Sequence, residues 1–268
     1  MQVIGLCRFS YPGEGGFHKS HDSLDDQIAY LYAPERLEER FRTFECFTLP
    51  SLRAQTDPEF TFLIVIGESL PREHRDRLEA LVADLPQAVI QAHAPGPHRD
   101  VMRKAINSVR QTTGTPSLQF RLDDDDAVAV TYVEKLRHAA AHVAGLLQDH
   151  RHFAIDFTRG HAARPGPKGL ATAPIEDPYW TAGLAMMFRP DVPLTIMNFH
   201  RRRLLHKMPA LIFPEEEMML RGVNGFNDSD NAEDAPKLRL KKLGMRGEDK
   251  FRRLYNIDAD HVRRVFSG

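Results

Sequence analysis

Cysteine is nearly absent: Cys7 and Cys46 are the only two in 268 residues. A disulfide framework is therefore excluded, and two buried thiols in a reducing compartment are expected. No window approaches the roughly eighteen uncharged apolar residues that a membrane-crossing helix needs. The stretch from Met1 to Arg8 lacks a basic segment followed by a long apolar run, so no secretory leader is expected and a cytoplasmic location is predicted. Net charge is small as well, -1 from 36 Lys and Arg against 37 Asp and Glu, which leaves no global attraction to nucleic acid. Tryptophan occurs once, as Trp180. Internal repeats and low-complexity stretches do not occur. What is present is an ordinary globular composition, 42% hydrophobic and 27% charged, in a chain long enough to bury a large core without covalent staples.

Read in order, strands and helices alternate. Val3 to Phe9 is short and apolar and predicts a buried first strand. The Gly-rich loop from Ser10 to Gly16 lacks the spacing of a phosphate-binding fingerprint. A short helix is expected around Leu24 to Tyr32. From Glu35 to about Gln55, Leu37, Phe41, Phe44, Phe47 and Leu52 recur at three- and four-residue intervals, which predicts an amphipathic helix with a break at Pro50. Phe60 to Ile66 is too continuously apolar to leave one face wet, as in parallel sheets. Pro71 to Leu85 reads as a helix, Ala88 to Ala92 as a strand, Asp100 to Thr112 as a helix and Leu118 to Leu122 as a fourth strand. Helix is expected again from about Val130 to Gln148, and a strand from Phe153 to Phe157. Thr158 to Asp177, rich in Gly and Pro, reads as a long loop, Thr181 to Phe188 as a strand, and Glu215 to Leu220 as a helix opened by three acids. This order predicts an α/β layered sheet with ligands at the carboxyl ends of its strands.

At such an end stand four consecutive acids, Asp123 to Asp126. Bare carboxylates cannot be buried cheaply, so the row either faces water or meets something positive. A hard divalent cation, Mg²⁺ or Mn²⁺, prefers such oxygen ligands. Acids also cap helix N-termini, and one member of the row suits that role for the helix that follows. Two basic segments stand out: His200 to Lys207, and the tail from Lys237 to Gly268 with ten Lys or Arg against four Asp or Glu. Each reads as a solvated face or as a surface for phosphate.

Thr48 to Val65, with its Ser51-Leu52-Arg53-Ala54-Gln55 run before a strand, resembles the opening of GT-A glycosyltransferases, and Arg121-Leu122-Asp123-Asp124-Asp125-Asp126 resembles their D-x-D motif. Arg8-Phe9, Gly183-Leu184-Ala185 and Asn224-Gly225-Phe226-Asn227 extend the likeness, over about residues 2 to 235, to a bacterial family of putative rhamnosyltransferases. The resemblance implies a GT-A-like, Rossmann-like α/β fold: a mixed, mostly parallel central sheet flanked by helices. It implies one catalytic domain over 1–235, with a nucleotide-sugar half to about 127 and an acceptor half beyond, and a basic helical tail, 236–268, packed on it. It also implies a nucleotide-diphosphate sugar donor, possible use of rhamnose, a glycan or lipid-linked acceptor in polysaccharide biosynthesis, and a divalent metal, Mn²⁺ or Mg²⁺. Peripheral membrane contact through the basic segments is part of that expectation.

Carried onto this chain, the donor is expected to meet Arg8, Arg103, Asp123 and Asp124, and the metal Asp125, Asp126 and Asn224. Asn224 stands where a metal-facing His is expected, a departure that weakens that contact. Metal on a departing diphosphate would act as a Lewis acid where charge develops. Glu216 is the candidate proton acceptor for the sugar-accepting hydroxyl, although acids at a presumed helix start also serve the helix dipole. Trp180 and His200 are candidate sugar or acceptor contacts, the indole because aromatic faces stack on sugar rings. Two other readings stay open. Asp124-Asp125-Asp126-Ala127-Val128 fits the nucleophile loop of haloacid-dehalogenase-like phosphatases, though that loop normally follows the first strand. A non-catalytic sugar- or metal-binding module is the other.

Overall fold

The computed structural model describes residues 1–15, 21–111, 114–226 and 238–268. At its centre lies β1 (Gln2–Arg8), hydrogen-bonded in parallel to β2 (Thr61–Gly67) on one side and β4 (Ser117–Arg121) on the other, with β3 (Ala88–His93) beyond β2. Side chains alternate across these strands: Phe62, Ile64 and Ile66 point into one core, Leu63 and Val65 into the other. Both faces are thus covered, which explains why the second strand carries no polar stripe. Helices α1 (Leu24–Leu31), α2 (Pro34–Thr43), α4 (Arg72–Val82) and α5 (His98–Val109) fill the connections.

The helix expected over Glu35 to Gln55 does not break at Pro50. It widens first. A π-helical turn, Phe44–Thr48, leads into α3 (Leu49–Arg53), and the Leu49 N–H reaches back five residues to the Phe44 carbonyl. A proline ring collides with the carbonyl four residues before it, and the wider turn removes that collision. The helix expected to Gln148 divides into α6 (Tyr132–His142) and α7 (Leu146–Asp149), around the weak helix formers Val143 and Gly145.

The second half of the sheet is largely antiparallel. Strand β8 (Leu184–Phe188) pairs with β4, and β6 (His152–Gly166) pairs with β8. The expected loop over Thr158 to Asp177 is instead a hairpin: β6 runs on to Gly166 and returns as β7 (Gly169–Glu176). Prolines signalled a loop, but their positions need no ladder bond. Pro174 lies on β7 beyond the two residues paired with β10 (Lys241–Lys242), and Pro165 lies beyond the last residue of β6 paired with β9 (Ala210–Gly222).

The Glu215–Leu220 helix is also overturned. Those residues belong to β9, which runs parallel to β6 and antiparallel to β5 (Ala127–Val128). Met218, Met219 and Leu220 bury there, and Pro214 falls where the β6–β9 register shifts, so no regular hydrogen bond is lost. The tail forms α8 (Met245–Tyr255) and α9 (Ala259–Ser267); Phe251, Tyr255, Ile257 and Val262 are buried, and Arg252 and Arg253 face water. Both cysteines are buried and free, and burial pushes the Cys46 thiol up to about 12. No helix among the described residues is long and apolar enough to cross a membrane. Asn227, Asp228 and the boundary near residue 235 lie outside the described residues.

Candidate active site

Strands β1, β2, β3 and β4 all point their carboxyl ends to one rim. The four aspartates begin there, where Leu122 donates its N–H to the Leu6 carbonyl and Asp126 donates to the Asp123 carbonyl, closing a turn. The π-helical turn holds it through Thr48, whose hydroxyl donates to the Asp126 carbonyl at 2.8 Å, and Thr43 of α2 packs its hydroxyl 3.4 Å from the Asp124 carbonyl.

Three of the four acids are buried, and each has a protein partner. Arg40 of α2 places one Nη1 2.8 Å from Asp124 and 2.9 Å from Asp125. Its other amino group donates to the Phe226 carbonyl at 3.1 Å. Asn224 donates its amide to Asp125 Oδ2 at 2.8 Å and accepts the Phe226 N–H, an Asx turn. Asp126 Oδ1 accepts the Gly222 N–H of β9 at 2.9 Å. Burial pushes the Asp124 carboxyl up to about 6 against the pull of Arg40, and burial followed by Asp125 and Asp123 raises Asp126 well above the carboxylate range. The acids thus fasten α2, β9 and the 224–226 turn to the strand rim.

A divalent cation at Asp125, Asp126 and Asn224 would meet a donor set engaged in this way. Among the described residues no group of three or more His, Cys, Asp or Glu converges as an ion-binding shell would. The residues present do not fit a hard cation unless Arg40, already seated between two carboxylates, gives way. Asp124 also makes a poor phosphatase nucleophile, because it is buried and bound to a guanidinium.

Gly222 is required by close approach. A Cβ there would sit 2.0 Å from the Asp125 carbonyl oxygen. Backbone must then move, so Gly222→Ala is expected to cost about 1–3 kcal/mol, read from urea midpoints. An unchanged midpoint would show that β9 does not pack on the aspartate turn as described.

Asp123 is different. Its side chain is 39% exposed, and Arg121 approaches it at 3.8 Å. Beside it opens a cavity of about 230 Å³, lined in part by His98, Arg99, Arg121, His200 and Arg201 over an apolar floor that includes Leu184 and Met186. His98 is buried, and that burial, with the charges of Arg8, Arg121 and Arg99, lowers it to about 3, so it stays neutral. Trp180 precedes Thr181 of the lining, and the guanidiniums of Arg201 and Arg221 stand 4.5 and 4.6 Å from its ring.

The structure therefore brings Asp125 together with Asn224 and places His200 in the cavity lining; Trp180 adjoins that lining through Thr181 and Arg201, and Arg8 does not line it. Arg103 sits on α5 in an ion pair with Asp100 at 3.2 Å and does not line the cavity. Glu216 lies on β9 with Lys135 at 3.1 Å. Sequence reasoning passed over Arg40, Arg99 and Asp156. Asp156 sits on β6 opposite Leu184, buried; its Oδ2 accepts the Tyr179 N–H at 2.6 Å, and its Oδ1 has no partner among the described residues. Tyr179 carries a positive φ of 61°, a rare state for a bulky residue and one that often marks functional sites.

Against known proteins, a family profile described as "Putative rhamnosyl transferase" matches residues 2–236. No curated protein matches the chain. Among solved structures, S. aureus TarS 1–349 in complex with UDP-GlcNAc is similar at a TM-score of 0.47 and 11% identity, over 87% of this chain and 61% of that one. This chain thus spans less than two thirds of the TarS fragment. A putative nucleotide-diphospho-sugar transferase from Desulfovibrio desulfuricans G20 is similar at a TM-score of 0.34 and 12% identity, over 98% of this chain and 97% of that one.

Proposed function

The chain belongs to the family of putative rhamnosyl transferases, and we propose that it is a GT-A-type glycosyltransferase moving a sugar, with rhamnose the first candidate, from a nucleotide diphosphate to a hydroxyl acceptor. The observation that carries this reading is the cationic cavity beside Asp123 at the carboxyl rim of the parallel strands, where open α/β sheets take their ligands. At about 230 Å³ it is smaller than the ~300–1,000 Å³ of most ligand sites. It suits a diphosphate and an adjoining ring, with the remainder of the donor along the open rim.

In this reading the anomeric carbon–oxygen bond breaks, the diphosphate leaves with the bonding electron pair, and the acceptor hydroxyl attacks and loses its proton. Asp123, partly exposed, accepts hydrogen bonds from the donor's ribose hydroxyls. Trp180, next to Thr181 of the lining, is the candidate ring for a sugar, beside the guanidiniums of Arg201 and Arg221. No step is derived through a metal ion, because the donor set expected to hold one is engaged by Arg40, Asn224 and Gly222. The division into a donor half to about residue 127 and an acceptor half after it belongs to this reading. So does a glycan or lipid-linked acceptor, reached from a membrane surface through the basic segments.

The test is a panel of UDP-, dTDP- and GDP-sugars, with released nucleoside diphosphate measured over hours. One donor is expected to be hydrolysed above a heat-denatured blank, and Asp123→Ala to lose most of that release. A nucleoside diphosphate that binds with no release from any donor would make the chain a binding module. Neither binding nor release would remove the reading altogether.

A further inference from the structure

Resting on that glycosyltransferase reading, we propose that the donor's diphosphate is held and neutralised by the guanidinium groups of Arg99, Arg121 and Arg201, so that binding needs no divalent cation. The positive charge at the rim is already built into the chain, in a different place from the aspartate turn.

Two independent observations lead there. The first is the use made of the acids. Arg40 bridges Asp124 and Asp125, Asn224 caps Asp125, and a backbone N–H occupies Asp126. Their oxygens act as structural acceptors, and a guanidinium stands where a bridging ion would be sought.

The second is the composition of the cavity. Arg99, Arg121 and Arg201 share its lining with His200, and Asp123 stands 3.8 Å from Arg121. The guanidinium fork matches phosphate oxygens two at a time, and it is always charged. Arg201 lies 4.5 Å from the Trp180 ring, which holds its plane and reduces the rotamer freedom lost when it binds. His98 in the same lining is held neutral chiefly by its burial, with the charges of Arg8, Arg121 and Arg99 adding to that effect, so it brings no charge of its own. Preorganised cations around a departing diphosphate stabilise the charge that develops on it, as a metal would.

The experiment is calorimetric titration of the full chain with UDP, dTDP and GDP, once in excess EDTA and once in excess Mn²⁺. At least one nucleoside diphosphate is expected to bind with affinities equal within about twofold in the two buffers. Arg121→Ala and Arg99→Ala should each weaken it at least about tenfold, and Arg72→Ala, an exposed control at the start of α4 and outside the cavity lining, should not. Thermal melts check that each variant folds. If Arg121→Ala does not fold, Arg121→Lys keeps the charge, loses the fork and should still weaken binding several-fold. Binding seen only with Mn²⁺ overturns the inference and leaves the glycosyltransferase reading standing. Metal-independent binding that both arginine variants retain also overturns it. Failure of every nucleoside diphosphate in both buffers removes the glycosyltransferase reading, and the inference with it.

Discussion

Arg40→Ala is expected to destabilise the fold by about 3–5 kcal/mol at neutral pH, the usual cost of stranding a buried charge. Here two carboxylates, Asp124 and Asp125, lose the same partner, and both side chains are buried. Neither can turn to water without dragging the strand rim with it, since Thr48 holds the same turn by the Asp126 carbonyl and Thr43 packs against the Asp124 carbonyl. The pH dependence has a definite sign. In the parent, Asp124 already titrates near 6 because burial outweighs Arg40. Without Arg40 the Asp124 carboxyl rises further, so the folded variant holds a proton that the unfolded chain has released. Stability of the variant therefore increases as pH falls, and its deficit against the parent shrinks toward about pH 4, where unfolded carboxylates are protonated too. Urea midpoints at neutral and mildly acidic pH measure this. A deficit that stays below about 1 kcal/mol, or that grows on acidification, would show that the pair is not held as described.

This arrangement shows what the sequence could and could not announce. Local pattern was sufficient where one segment decides its own fate. The apolar run before Gly67 marked a doubly covered strand, and the Leu37–Phe41–Phe44 spacing marked the helix beside it. The aspartate row was correctly placed at a strand end, on the rim where the parallel strands finish. Its occupants were not legible, because Arg40 lies 84 residues from Asp124 and Gly222 lies 96 from Asp126, with no local signal linking them.

The second half misled for a related reason. Pro165 and Pro174 spoke for a loop, yet each pairs within the β6–β7 hairpin and turns its missing N–H toward an edge that β9 and β10 do not reach, so no ladder bond is lost. The three glutamates before Met218 imitated a helix start; what fixed them as strand was the gap between β5 and β6 that β9 fills. Asp156 was invisible for a simpler reason. A single acid in a buried strand has no motif, and only its partners distinguish it.

Those partners predict the other large effect. Burial, and then the charge of Asp177, push Asp156 up to about 6 against the Tyr179 N–H that favours its ionised form. The folded chain therefore keeps this proton where the unfolded chain, titrating near 3.9, has released it. Stability must fall as pH rises from about 4 to about 6, and the gap between the two values corresponds to about 3 kcal/mol. Asp156→Asn removes that loss but keeps an oxygen for the Tyr179 N–H. It should match the parent near pH 4 and exceed it by up to about 3 kcal/mol above pH 7. Asp156→Ala removes the acceptor as well. It leaves a buried N–H unpaired beside a left-handed tyrosine, which costs about 1–3 kcal/mol. Alanine removes the same charge, so it should lie about 1–3 kcal/mol below asparagine at both pH values; that constant gap, read from urea curves, measures the hydrogen bond, and the part that changes with pH measures the charge. The wall of the cavity follows from the hydrogen bond alone: Trp180 and Thr181 continue directly from Tyr179. Asparagine should therefore preserve nucleoside diphosphate affinity, and alanine should lower it. If the asparagine variant is no more stable than the parent at neutral pH, the acid is solvated in solution, and the buried position assigned to it behind the cavity is wrong.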